Sequence, residues 1–438
     1  MEGGDSMLTV SRIGLNFERE ALSTPFGFKG NYLTELWQVV ALLESDHAAG
    51  VGLGVQSVLW SDAQTFARYP EAVGNGMMFL MTAYALELAK GRTFTTPLEL
   101  LEELLPKTHA WGCQLTGNPN LPVTFALNAL VPVDDAAWLL YAQEKGISTF
   151  SDLIPEDVRS ALGARHTSLA CIPLVTYGMD LEEVRRLVQE GHFFLKIKIG
   201  SDPAKDGDPQ KMLEWDQQRL LAIHQAVKDY ETPYTDCGYP VYYLDANGRY
   251  DSKERVWQLL DFAAEIGALD RIVLFEEPFP AAYKVDVADL PVTMAVDESA
   301  HSVQDVAERI QLGYRAIALK PIAKTLSMSF KMIEMAYRHG VYCFCADLTV
   351  NPLLVDWNKN VAARLAPLPG VKIGVLEANG PWNYRDWERL KSYHPCDGAS
   401  WLVPRQGLFS LDEGFYEQSG GIFQPSPHYW GLVGQQVE

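Results

Sequence analysis

Cysteine is scarce in this chain. The six cysteines (Cys113, Cys171, Cys237, Cys343, Cys345 and Cys396) in 438 residues cannot frame a disulfide scaffold. Cys343 and Cys345 stand one residue apart, but no second Cys/His pair follows at zinc-finger spacing. Reduced cysteines and a cytoplasmic setting are the expectation. Basic residues are also few, 36 Lys+Arg against 56 Asp+Glu, for a net charge of −20. Nucleic acid and anionic membranes attract basic surfaces, so neither is expected as a partner. A small anionic ligand is not excluded, because one metal ion reverses a local field. Met1–Val10 lacks a basic flank followed by an apolar run, so no signal peptide is read there. The apolar stretch Met77–Ala89 contains Thr82 and Glu87 and is too short to span a bilayer. No fixed-period repeat is visible, which excludes a solenoid. Hydrophobic residues make up 47% and charged residues 21%, the balance of a folded globular chain.

The chain changes texture along its length. Trp37–Leu43 and Val51–Val58 are β-prone runs joined by residues 46–50, which reads as a hairpin. Helical patterns follow over Met77–Leu88, Pro97–Leu105 and Asp134–Gln143. From about Ile172, short apolar runs recur: IPLVTY, FFLKIKIG, VYYLDAN, IVLFEEP, VTMAVDES, AIALKP, VYCFCAD and KIGVLEAN. Amphipathic helices lie between several of them. Asp180, Ser252 and Ser302 are N-caps, and Gly340 closes a helix. The alternation predicts a parallel (β/α)8 TIM-type barrel of α/β class. The long step from Lys198 to Asp245 places an insertion within residues 202–239. The expected organisation is an α+β capping domain over residues 1–165, the barrel over 166–385, and a segment over 386–438 that packs on the cap.

Active sites of such barrels lie at the C-terminal ends of the strands. Here those ends carry charge: Lys196 and Lys198; Asp245 and Asn247; Glu276 and Glu277; Asp297 and Glu298; Lys320; Asp347; Glu377 and Asn379. Charges at these positions are costly unless paired or metal-bound. Asp245, Glu276 and Asp297 offer only oxygen from three successive strands, which favours Mg²⁺ over zinc or copper. Lys196 and Lys198 alternate along one strand and share a face. Two adjacent ammonium groups depress each other's pKa, and a lysine near neutrality can act as a general base. Lys320 falls four strands further round an eight-stranded ring, roughly opposite. A carbon held between these lysines could lose a proton to one face and regain it on the other.

The set K-I-K, D-A-N, F-E-E-P, D-E-S and A-L-K on successive strands resembles the enolase superfamily. The two-lysine arrangement resembles its muconate lactonizing enzyme subgroup, within the mandelate racemase/muconate lactonizing enzyme-like proteins. The hairpin region is similar to the family's capping domain, and residues 134–146 to the helix preceding its barrel. The resemblance implies Mg²⁺ on Asp245, Glu276 and Asp297. It implies Lys198 as base and Lys320 as acid or base, with Lys196 steadying a substrate carboxylate. It further implies an enediolate formed by loss of the α-proton, and a homo-oligomer. Racemisation or epimerisation of a small-molecule carboxylate is the first expectation. β-Elimination and cycloisomerisation are exits from the same enolate. A Schiff-base aldolase and a non-catalytic binding protein are readings of other classes.

Several positions depart from the subgroup's patterns. Pro321-Ile322-Ala323-Lys324 follows the strand-six lysine where racemases often carry Gly-Gly. Strand eight ends Glu377-Ala378-Asn379 where dipeptide epimerases usually show Asp-x-Asp. Strand seven ends in Asp347 without the His of acid-sugar dehydratases. Asn247, Glu277, Glu298, Asp347, Glu377 and Asn379 are expected to orient ligands or touch substrate. Asp347 can either bind substrate or balance a lysine. His301 reads as a helix-start residue. Residues 24–31 read as a mobile loop over the site.

Overall fold

The structure is a computed structural model and describes residues 7–28 and 31–434. Three antiparallel strands, Arg12–Phe28, Asn31–Glu44 and Ala49–Gln56, form the first sheet. The expected hairpin about residues 46–50 is the second of its two turns. Residues 24–28 continue the first strand, with Phe26 opposite Leu33, rather than forming a loop. Lys29 and Gly30 of that expected loop lie outside the described residues.

Helices Glu71–Ala89 and Val123–Lys145 pack on this sheet, and helix Pro97–Thr116 packs against those two helices. All three are longer than the pattern suggested. Pro106 and Pro132 sit inside two of them. An interior proline costs about 3 kcal/mol, but Leu100, Leu101, Leu104 and Thr108 are buried along one continuous face across Pro106. Helix Val123–Lys145 is long and apolar enough to cross a membrane, yet 89% of its apolar 18-residue stretch is buried inside the protein. It rests directly on strand Ala49–Gln56. Gly50, Gly52 and Gly54 alternate along that strand and so share one face. A Cβ at Gly50 or Gly52 would collide with the helix backbone at Ala136 and Pro132.

The barrel ring has eight parallel strands: Ser168–Ile172 with Leu174–Val175, Phe194–Lys198, Val241–Asp245, Ile272–Glu276, Thr293–Val296, Ala316–Leu319, Tyr342–Cys345 and Gly374–Glu377. We number them one to eight. Strand one begins before the apolar run that marked it and breaks at Pro173, which has no N–H to give. Its first half pairs with strand eight and its second with strand two, so the ring closes. Regular helices follow strands one, two, three, five, six and seven. Among the described residues the fourth connection has no helix, so the strict alternation fails there. Its Pro278, Pro280 and Pro291 supply no N–H for a helical ladder. The expected insertion is the helix Pro209–Val227 and the loops around it.

Apolar side chains fill the barrel interior. Ala170, Ala295, Ala316, Ala318 and Ala346 leave room for Phe194, Tyr243 and Phe344. Tyr243 meets Phe344 edge-on at 5.4 Å and tilts against Phe194 at 6.2 Å. This aromatic floor keeps charge out of the centre and confines it to the C-terminal mouth.

The last part of the chain crosses both units. Leu408–Ser410 pairs antiparallel with strand one of the ring. Helix Pro427–Val433 then packs on the first sheet, where Asn16 donates to the Leu432 carbonyl at 2.9 Å and His428 meets Glu18 at 2.7 Å.

Candidate active site

Strand register places the charges in one row. Lys198 is opposite Asp245, and Asp245 is opposite Glu276. Asp297 and Lys320 follow immediately after strands five and six, Asp347 stands two residues past the end of strand seven, and Glu377 ends strand eight. A cavity of about 630 Å³, counted to its open mouth, brings together Lys196, Lys198, Asp245, Asn247, Asp297, Glu298, Lys320, Asp347, Glu377 and Asn379. Leu22, Leu33 and Leu36 of the first two cap strands, with Leu59 and Trp60, supply its apolar side.

Lys196 is a hub. Its Nζ lies 3.2 Å from Asp245, 3.3 Å from Glu276 and 3.2 Å from Glu377. It also stands 4.6 Å over the Tyr243 ring, whose hydroxyl donates to Glu276. Lys198 donates to Asp245 at 2.6 Å and to Asn247 Oδ1 at 2.5 Å. Asn247 in turn donates to Glu298 at 2.7 Å. Lys320 donates to Asp297 Oδ2 beneath the Trp60 ring, 4.7 Å away.

Burial opposes the charge on Lys196 and Lys320, but Glu276 and Glu377 for the first, and Asp297 for the second, outweigh it. Both lysines are held above their ordinary value. The expectation that the Lys196 and Lys198 ammonium groups depress each other therefore fails at Lys196, because carboxylates outnumber ammonium groups around it. Burial drives Glu276 well up, against the pull of Lys196. Asp245 and Asp297 are also fully enclosed, yet the lysines beside them hold both below the ordinary carboxylate range. Glu277 points away from the cavity and accepts the amides of Asp297 at 2.9 Å and Ser299 at 3.3 Å. Burial and the Glu298 charge push it up to about 7. Its role is to shape the strand-five turn.

The candidate cation site fits a hard metal. Glu276, Asp297 and Glu298 each bring a carboxylate oxygen within 4.8 Å of the others. Glu298 Oε2 is buried without a hydrogen-bond partner. Glu298 thus joins the tightest acidic grouping, while Asp245 is turned toward Lys196 and Lys198. An all-oxygen set suits Mg²⁺.

Three neighbours escaped sequence reading. Lys324, wholly buried, donates to the Asp297 carbonyl at 2.7 Å and to Oδ1 at 3.1 Å. It lies on the short helix after strand six, where spacing gave no strand-end signal. Trp60 comes from the cap, far away in sequence. Tyr243 reads as an ordinary strand aromatic. His301 sits where expected, at a helix start, its amide donating to Asp305 at 3.0 Å. Of the seven non-glycine residues with positive φ among the described residues, Asn247, Glu277 and Thr349 lie on strand-mouth loops, and Thr325 joins the two helices after strand six. Strain of this kind gathers where a fold fixes side chains for use.

Residues 180–371 match the family model described as "Enolase C-terminal domain-like". The matched segment makes up most of the barrel, and the likeness it shows is to the enolase superfamily. Solved structures of similar fold extend the likeness over cap and barrel together. A mandelate racemase/muconate lactonizing protein from Herpetosiphon aurantiacus has a TM-score of 0.64 at 18% identity, covering 92% of this chain and 96% of that one. A dipeptide epimerase from Enterococcus faecalis V583, complexed with Mg and L-Leu-L-Tyr, scores 0.62 at 17% identity, over 93% of this chain and 98% of its own. The L-Ala-D/L-Glu epimerase of Bacillus subtilis scores 0.62 at 17% identity, over 92% and 97%. Comparison with curated protein sequences yields no match. This enolase-type barrel therefore carries its cap in the arrangement those structures share.

Proposed function

We propose that the chain is an enzyme that removes and returns the α-proton of a small carboxylate, most simply as a racemase or epimerase. The observation that carries this reading is the placement of Lys198 and Lys320 on opposite strands of one ring, both opening into one cavity beside an acidic cluster. Lys196 stands between them and can hold a substrate carboxylate. Asp297 keeps Lys320 protonated, which suits it to deliver a proton. Lys198, on the facing strand, then takes the proton. The same protonation disfavours Lys320 as a Schiff-base nucleophile, which must be neutral to attack.

An α-proton beside a carboxylate is weakly acidic, so the anion formed needs strong charge stabilisation. Lys196 supplies part of it from above the Tyr243 ring. Glu276, Asp297 and Glu298, with Asp245 beside them, would hold Mg²⁺, which supplies Lewis-acid stabilisation when bound. Asn247 fixes Lys198 through Oδ1 and Glu298 through Nδ2, so it orients base and acid cluster together. The leucines and Trp60 exclude water.

The test is a panel of chiral carboxylates in D₂O with Mg²⁺, read by mass and NMR for α-deuteration. Wild type should exchange at least one member, and chelator should abolish the exchange. Lys198→Ala and Lys320→Ala should each reduce turnover by about 10²-fold or more. Exchange retained in both variants would sink the assignment. A product lighter by one water would point to elimination instead.

A further inference from the structure

One charged side chain beside the acidic grouping has no part in this proton transfer. Lys324 is wholly buried on the short helix Pro321–Lys324, which packs against the cap helix Val123–Lys145. Its ammonium group donates to the Asp297 carbonyl at 2.7 Å and to Oδ1 at 3.1 Å, and lies 6.0 Å from the Trp60 ring. Lys320 donates to the other oxygen, Oδ2. One carboxylate therefore faces two ammonium groups, one on each oxygen, where a single one would balance its charge. Taking an ammonium group wholly out of water is costly, so packing alone would favour an apolar side chain at position 324. The two lysines also differ in reach. Lys320 lines the cavity, whereas Lys324 stands behind its wall.

We propose that Lys324 is the standing counter-ion of the cation site: it holds Asp297 in place before a metal arrives, and its fixed charge keeps metal affinity low. Asp297 brings one oxygen into the acidic grouping with Glu276 and Glu298. A divalent cation arriving there meets Lys324 across Asp297, and like charges so close repel strongly in a buried setting. The bond to the Asp297 carbonyl anchors Lys324, whereas Lys320 is held through the carboxylate. Lys324 is a positioning residue, because it acts through Asp297. The assignment rests on the proposed Mg²⁺ reading of the acidic grouping and does not depend on the proton transfer.

The experiment is calorimetric titration of the full chain with MgCl₂ alone, alongside thermal melts with and without the metal. Lys324→Gln keeps an N–H for the Asp297 carbonyl and removes the charge. It should bind Mg²⁺ about tenfold tighter than wild type. It should also melt below wild type without Mg²⁺, and the gap should narrow in excess Mg²⁺, because tighter binding returns stability by mass action. Lys324→Arg keeps the charge and should hold wild-type affinity. A purely structural lysine would give lower melting with unchanged or weaker binding, and that result would overturn the proposal. Equal tightening in Lys324→Gln and Lys324→Arg would do the same, since charge would not be the cause. If Lys324→Gln is unfolded without metal, folding on addition of Mg²⁺ supports the assignment, and failure to fold at any Mg²⁺ concentration counts against it. No binding heat from wild type or either variant would sink the Mg²⁺ reading itself, and the assignment with it. Failure of the proton-transfer reading looks different: Lys324→Gln would bind Mg²⁺ tighter as expected, yet no carboxylate would exchange in D₂O.

Discussion

At the scale of single residues, Lys196 is the most consequential side chain. It is buried, and three carboxylates from three strands depend on it. Removing one partner from a buried ionic group costs about 3–5 kcal/mol, because the remaining charges are stranded. Lys196→Met should lower unfolding stability by that amount in denaturant titration without Mg²⁺. A loss below about 1 kcal/mol would mean the carboxylates take up protons freely instead. The strand-end charges were legible because a charge closing an apolar run is conspicuous. What each contacts was not. Lys196 and Lys198 looked equivalent in sequence, yet the first is a hub on the floor and the second an arm on Asp245. Lys324 was illegible because a lysine on a helix normally reads as solvated, and only the return of that helix under Asp297 buries it.

At the scale of elements, a polar clamp joins cap and barrel. Ser327, at the start of the barrel helix Leu326–Arg338, donates its amide to Asp134 at 3.0 Å and accepts Trp138 Nε1 at 2.9 Å. Both partners lie on the cap helix Val123–Lys145. Burial holds Asp134 up to about 6 in the fold, although Ser327 pulls it down. A carboxyl whose folded value is raised opposes folding once it ionises. The cost begins as pH rises past its ordinary value of 3.8 and is complete above about 6. It amounts to about 2–3 kcal/mol. Asp134→Asn should therefore gain stability relative to wild type between pH 4 and pH 8 by roughly that amount. Denaturant midpoints at the two pH values read it, and a gap that stays constant with pH would refute it. The barrel strands were legible because each is a short apolar run with a charged end. Helix ends were not, since Pro106 and Pro132 look like stops until tertiary burial overrides them. The helix-less fourth connection was hidden for the opposite reason, being long enough to hold a helix that its prolines discourage.

At the scale of the whole molecule, the two units are tied at both ends of the chain. The helix Pro427–Val433 buries Tyr429 and Val433 against the first sheet. Ending the chain after Pro425 removes those side chains, each worth about 1.5–3 kcal/mol of burial. Such a truncation should lower the melting temperature and speed amide exchange along Arg12–Phe28, leaving the ring strands protected. Equal loss of protection in both units would show that they unfold together. The glycine face of strand Ala49–Gln56 adds a constraint of another kind. At Gly50 and Gly52 the cap sheet touches its helix backbone to backbone, with no side chain between them to lengthen or shorten, and Gly54 lies against the Pro132 ring. For anyone building a library to retune what this protein accepts, positions 50, 52 and 54 are closed to every residue larger than glycine. The open ones are Leu22, Leu33 and Leu36, where the other two strands of that sheet line the cavity. Diversity placed there changes the ceiling of the cavity while the joint that carries it stays put.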